Sequence, residues 1–121
     1  MKIPRINTKT TNMEMTSKLQ SLLDHKLLPL EKFITDHSDT KCEVELEKLT
    51  DHQSGKIYRA EINLFNGGEL YRAEATEEQI ERAIDVARDE LKRELRRDSD
   101  KKQSLKIKGE RSIKDMLRSD E

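Results

Sequence analysis

The sequence predicts an α+β domain with the element order β-α-β-β-β-α, a four-stranded sheet with two helices packed on one face. Two helical periods bracket a block of alternating residues, and that order carries the prediction. Leu19, Leu23, Leu27, Leu30 and Ile34 recur at spacings of three and four. So do Ile80, Ala83, Ile84, Ala87, Leu91 and Leu95, and each set marks one apolar stripe of a helix. Between them Cys42, Val44 and Leu46 alternate with Glu43, Glu45 and Glu47, and Tyr58, Ala60, Ile62 and Leu64 alternate with Arg59, Glu61 and Asn63. Strands with one buried and one wet face read this way.

Taken in order, Ile3 to about Lys9 is a short β-prone run and the first strand. The first helix starts at Thr16 or Ser17: Ser17 with Gln20 has capping-box spacing, and Thr16 is the alternative N-cap. Pro29 lies inside its stripe, where the ring removes the bond to residue 25 and clashes with that carbonyl, so the helix kinks or stops near His25 to Leu28. Leu28 falls off the stripe. Thr35 to Thr40 is a polar turn before the Cys42 strand, and Asp51 to Gly55 is a loop before the Tyr58 strand. Asn66-Gly67-Gly68 supplies the positive φ angles of a tight hairpin, after which Leu70 to Ala75 returns with Tyr71, Ala73 and Ala75 inward. Thr76-Glu77-Glu78-Gln79 has capping-box form and acidic residues in its first turn, which predicts the start of the second helix there and its end near Arg97.

At 121 residues there is room for one core. Residues 1–97 form that domain, and 98–121 read as a charged, mobile tail with too few apolar residues to build another. No run approaches the roughly 20 apolar residues of a membrane span, and Met1 to Arg5 lacks the apolar stretch of a signal peptide. The expected location is cytoplasmic, with no membrane partner. The single Cys42 cannot close an intramolecular disulfide and reads as a small core residue. His25, His37 and His52 have no metal-ligand spacing to each other or to Cys42. No nucleophile stands beside an evident base, and Gly67-Gly68 precedes a strand where a phosphate loop would precede a helix. The sequence thus predicts no enzyme, no metal, no cofactor and no small-molecule substrate.

Lys and Arg number 24 and Asp and Glu 25, so net charge is close to zero while 40% of residues are charged. What matters is where each sign gathers. Arg88, Lys92 and Arg96 repeat at i, i+4, as do Arg93 and Arg97, and each like-charged pair costs a few tenths of a kcal/mol. Beyond them Lys101, Lys102, Lys106, Lys108, Arg111, Lys114 and Arg118 face only Glu110 and Asp115 between residues 101 and 118. Such a band binds phosphates with salt-dependent affinity and little sequence preference. With two Tyr, two Phe and no Trp, and both Tyr assigned inward, structured RNA read by shape fits better than stacked single strands. The alternative site is the wet sheet face with Glu43, Glu45 and Glu47, which would suit a protein-binding module.

The order and spacing of three segments carry a family resemblance. Asn12-Met13-Glu14-Met15-Thr16 leads into a helix that closes with Leu30-Glu31-Lys32-Phe33. Asn66-Gly67-Gly68 is followed by Leu70-Tyr71-Arg72-Ala73-Glu74, and Ala83-Ile84-Asp85 by Leu91-Lys92-Arg93-Glu94-Leu95. From Ile6 to Arg97 the chain resembles the ribosome hibernation factors, the ribosome-associated inhibitor and hibernation-promoting factor family. The resemblance implies a fold similar to double-stranded RNA-binding domains. It implies a short-form factor that is a monomer off the ribosome and partners the small ribosomal subunit and its ribosomal RNA. There it would occupy the decoding region and block messenger and transfer RNA binding in stressed or resting cells. The matching basic positions are Lys9, Lys26, Lys32, Arg93 and Arg97, which join Arg88, Lys92, Arg96, Lys101 and Lys102 as expected RNA contacts. The chain departs from the family at Glu81, often Tyr, at Glu90, often Lys, and at Pro29. The second domain by which long members pair ribosomes is not expected in a chain of this length.

Overall fold

The computed structural model describes residues 6–34, 40–49 and 55–119, with side chains up to residue 105. Strand β1 (Ile6–Thr11) leads to helix α1 (Ser17–Leu27) and a short 3-10 helix (Leu28–Phe33). Strands β2 (Lys41–Lys48), β3 (Tyr58–Asn66) and β4 (Glu69–Glu77) precede helix α2 (Ile80–Ser119). The strands lie in sequence order in one sheet. β1 runs parallel to β2, as a strand that returns through a helical crossover can, and the other pairs are antiparallel. This is the predicted β-α-β-β-β-α fold. The Ile3 end of the first predicted strand, most of the Thr35 to Thr40 turn and most of the Asp51 to Gly55 loop lie outside the described residues.

Local chemistry sets the element ends. Thr16 caps α1, its hydroxyl accepting from the Leu19 amide at 3.1 Å, so Thr16 and not Ser17 satisfies the orphan donor. α1 stops at Leu27, and Pro29 sits at the start of the 3-10 helix, where a missing N–H breaks no helical bond. Leu28, off the apolar stripe, is 40% exposed. In the hairpin, Gly67 and Gly68 have φ angles of 61° and 79°, left-handed values that a two-residue turn needs at both central positions. Asn66 anchors that turn: its side-chain amide donates to the Phe33 carbonyl at 2.8 Å and accepts from the Thr40 hydroxyl at 3.3 Å.

Both ends of α2 differ from expectation. Thr76 is not a helix cap, because β4 continues through Glu77 and places Thr76 opposite Arg59 and Glu77 opposite Tyr58. Pairing along the full length of β3 satisfies several backbone groups, more than the single bond of a cap. The helix starts at Ile80, with the Ala83 amide donating to the Gln79 carbonyl at 3.0 Å. It does not end near Arg97 but runs on to Ser119. Extending a formed helix needs no core, only residues that tolerate it, and the segment after Arg97 is mostly Lys, Arg, Asp, Glu, Ser and Leu without a proline. Asp98 and Lys102 add a favourable i, i+4 pair at 3.2 Å.

The core lies between the helices and one sheet face. Leu23, Leu27 and Leu30 meet Cys42, Val44, Leu46, Ala60, Ile62, Leu64 and Ala73 from the sheet, and Ala83, Ile84, Ala87, Leu91 and Leu95 from α2. Each fully buried Leu or Ile contributes about 1.5–3 kcal/mol, against about 1 kcal/mol or less for an exposed ion pair, so apolar packing holds the layers together. Cys42 is a core residue, as its alternation predicts. Burial, with the neighbouring Glu43, pushes its thiol up to about 12, which leaves it inert at neutral pH.

The opposite sheet face is a web of charges centred on Arg59. Its guanidinium contacts Glu61, lies 2.8 Å from Glu74, and stands 3.7 Å and 3.6 Å from Glu45 and Glu47. Arg72 reaches Glu61 at 2.9 Å. Glu61 is the best-connected carboxylate, and its pKa is held below the ordinary value by the Asn63 hydrogen bond first, then by Arg59 and Arg72. A lowered folded pKa contributes stability that is present above the unfolded value and lost as pH falls through the folded one. Glu61→Gln should therefore lower the thermal midpoint at neutral pH, and the gap from the unsubstituted protein should shrink as pH falls below the ordinary Glu value and through the lowered folded one. Thermal unfolding monitored by circular dichroism across pH checks this, and a gap that persists unchanged in acid contradicts it.

Candidate nucleic-acid interface

The apolar stripe of α2 dictates where its charges go. With 3.6 residues per turn, burying Ile84, Leu91 and Leu95 on the sheet turns Lys92, Arg93, Arg96 and Arg97 toward the far side. Arg93, Arg96, Arg97 and Lys101 are exposed and Lys92 is half-buried. None of these five cations forms an ion pair with a described residue. They stand together on the outside of the helix, with the exposed carboxylates Asp89, Glu90, Glu94 and Asp100 interleaved among them but bonded to none of the five. Beyond Leu105, the side chains of Lys106, Lys108, Arg111, Lys114 and Arg118 lie outside the described residues.

Other expected contact residues have partners. Lys26, on α1, reaches across to Asp85 of α2 at 2.8 Å. Arg88 stands 2.8 Å from Asp89 and 3.5 Å from Asp85, and donates to the Lys26 carbonyl at 3.3 Å. Lys26, Asp85 and Arg88 together fasten the two helices, at side-chain exposures of 24%, 25% and 19%. Lys102 is shared between Glu69 at 3.4 Å and Asp98. Lys32 is exposed and stands over the Phe33 ring, 5.2 Å from its centre. Lys9 stands opposite Glu45 in the β1–β2 register, on the open sheet face away from the α2 band. The structure thus joins Lys92, Arg93, Arg96, Arg97 and Lys101 into one surface and places Lys9 elsewhere.

Sequence reasoning missed Asp85 and Tyr71. Asp85 follows the stripe residue Ile84 directly, and nothing local signals that it receives Lys26 from another helix. Tyr71 is inward-facing as predicted, but its hydroxyl reaches Glu69 at 2.6 Å and also Asp98 on α2. Burial, then these two carboxylates, push its pKa upward. On the open sheet face, Glu45, Glu47, Glu61 and Glu74 all lie against Arg59, which reduces the free negative charge available to a basic protein partner. His25 is exposed on α1, while His37 and His52 lie outside the described residues. Among the described residues, no group of three His, Cys, Asp or Glu side chains could hold a metal ion. No helix among them is long and apolar enough to cross a membrane.

Residues 6–103 match the family described as sigma-54 modulation protein / S30EA ribosomal protein. Among solved structures, the N-terminal domain of Protein Y from Thermus thermophilus is similar at a TM-score of 0.61 and 27% identity, covering 80% of this chain and 98% of that one. A ribosomal subunit interface protein from Coxiella burnetii has a TM-score of 0.61 at 13% identity, covering 78% and 97%, a likeness of fold alone. No curated protein sequence matches. With the family match spanning most of the chain and the fold it entails in place, the protein belongs to the sigma-54 modulation protein / S30EA ribosomal protein family, to which its resemblance to hibernation factors pointed.

Proposed function

We propose that this protein binds the small ribosomal subunit in the cytosol, through ribosomal RNA of the decoding region. It would exclude messenger and transfer RNA there and repress translation without chemistry. The observation that carries this reading is the surface of Lys92, Arg93, Arg96, Arg97 and Lys101 on the outer face of α2, unpaired among the described residues. Adjacent like charges weaken an isolated helix slightly, and a polyanion laid across them reverses the sign of that term. Guanidinium groups also suit phosphate, which they grip through two parallel hydrogen bonds. Membership of a ribosomal protein family supplies the polyanion. Residues 1–97 would form the ribosome-binding domain, with 98–121 a charged extension of it. Lys32 and Lys9 would add contacts at separate places, while Lys26, Arg88 and Lys102 would act first as internal ties.

Two experiments test this reading. Replacing Arg93, Arg96 and Arg97 with Ala removes no core packing, so stability should stay within about 0.5 kcal/mol per site. Binding to purified small subunits should weaken. The slope of log affinity against log salt should fall by about one unit for each phosphate no longer neutralised, up to about three. Lys48→Ala with Lys56→Ala serves as the control, and equal losses of affinity in both variants would show that general charge carries the binding. In a cell-free translation assay, excess protein should stop synthesis and displace initiator transfer RNA. Unchanged synthesis with normal transfer RNA binding contradicts the steric mechanism.

A further inference from the structure

Four polar groups meet where α2 runs past the sheet. The Tyr71 hydroxyl, from β4, touches the carboxylates of Glu69 and Asp98, and Lys102 stands 3.4 Å and 3.2 Å from the same two groups. A phenol carries one proton, so it donates to one carboxylate at a time, and the Lys102 ammonium offsets the charge of two carboxylates at one point. Asp98 is held below its ordinary pKa by Tyr71 first and Lys102 next, so it remains the charged acceptor that makes such a bond strong. Leu95 is the last buried residue of the apolar stripe. From Arg96 to Leu105 every described side chain is exposed except that of Asp98, which is half-buried. This cluster is therefore the tie between the continuing helix and the sheet among the described residues.

We propose that Tyr71 is a positioning residue: by holding Asp98, with Lys102 closing the cluster, it latches α2 to the β3–β4 hairpin and sets the direction in which the helix leaves the domain. The direction matters because the RNA-facing band straddles the latch, with Arg93, Arg96 and Arg97 before and beside it and Lys101 after it. Without the latch, none of the other described side chains past Leu95 packs on the sheet to keep this part of the helix from fraying. The role in binding rests on the RNA reading above, whereas the latch itself does not. Lys102 is then a structural cation whose ammonium is occupied, and it contributes to RNA binding through the helix it holds.

Amide hydrogen exchange on the free, full-length protein tests the latch. Tyr71→Phe should speed exchange at residues 98–105 by about tenfold, the size expected for losing one hydrogen bond to a charged group, and leave residues 83–95 unchanged. Asp98→Ala should behave alike, while Asp98→Asn, whose carboxamide oxygen still accepts the phenol proton but lacks the charge and the Lys102 ion pair, should keep part of the protection and fall between Asp98→Ala and the unsubstituted protein. Unchanged exchange at 98–105 in Tyr71→Phe overturns the latch. Faster exchange across 83–95 as well would show that Tyr71 supports the whole fold, which also overturns it. Small-subunit binding supplies the second readout: Tyr71→Phe should weaken it severalfold, and Asp98→Asn should weaken it less than Asp98→Ala does. An opened latch with undiminished binding overturns the positioning role. Normal binding by the Arg93, Arg96 and Arg97 triple variant overturns the RNA reading, and the exchange result on the free protein remains separate from it.

Discussion

The burial of Ala83, Ile84, Ala87, Leu91 and Leu95 against β3 and β4 is the constraint on which the rest of this molecule depends. Two alanines in the stripe let the helix lie close to the sheet, and the larger side chains lock its rotation about its own axis. Once that rotation is set, each remaining position on α2 has an assigned direction. Asp85 and Arg88 fall toward α1, where Lys26 meets them. Arg93, Arg96 and Arg97 fall toward solvent. The cationic surface proposed to meet RNA is thus a consequence of packing on the opposite side of the same helix, and a rotation of α2 by one residue would turn it away from its present direction.

The near-zero net charge conceals a division of labour between faces. On the open side of the sheet, carboxylates outnumber cations, but Arg59 and Arg72 sit among them and neutralise much of their field. At α2, Lys26, Arg88 and Lys102 meet acidic partners and tie elements together, and Arg82 stands 3.9 Å from Glu77. The remaining cations of the band have no carboxylate to hold them among the described residues. A surface of paired charges presents little potential at a distance, whereas an unpaired band presents a strong one. That asymmetry explains why a protein of balanced composition can still be drawn to a polyanion by one side.

Much of this is legible in the sequence, for reasons specific to each element. The alternation around Cys42 and Ile62 reports a face buried by the helices, and the double glycine reports a turn that few other residues could form. The N-terminal boundary of α2 is misread from sequence because Thr76 to Gln79 has the local form of a cap. The pairing of Thr76 with Arg59 depends on the register of a strand more than ten residues away. The C-terminal boundary is misread because apolar spacing ends at Leu95, and continuing a helix needs only propensity and local ion pairs. Within the site, the outward positions of Arg93, Arg96 and Arg97 follow from periodicity. The engagement of Lys26, Arg88 and Lys102 does not, because Asp85 and Glu69 approach them from other elements.

Differential acetylation of lysines, read by mass spectrometry on the free protein and on its complex with small ribosomal subunits, tests the central claim most directly. The band supplies its own reporters in Lys92 and Lys101, and the open sheet face supplies Lys41. The account predicts that Lys92 and Lys101 lose reactivity on the ribosome while Lys41 keeps the reactivity it has in free protein. Protection of Lys41 with Lys92 and Lys101 unchanged would place the ribosome on the sheet face and contradict the account.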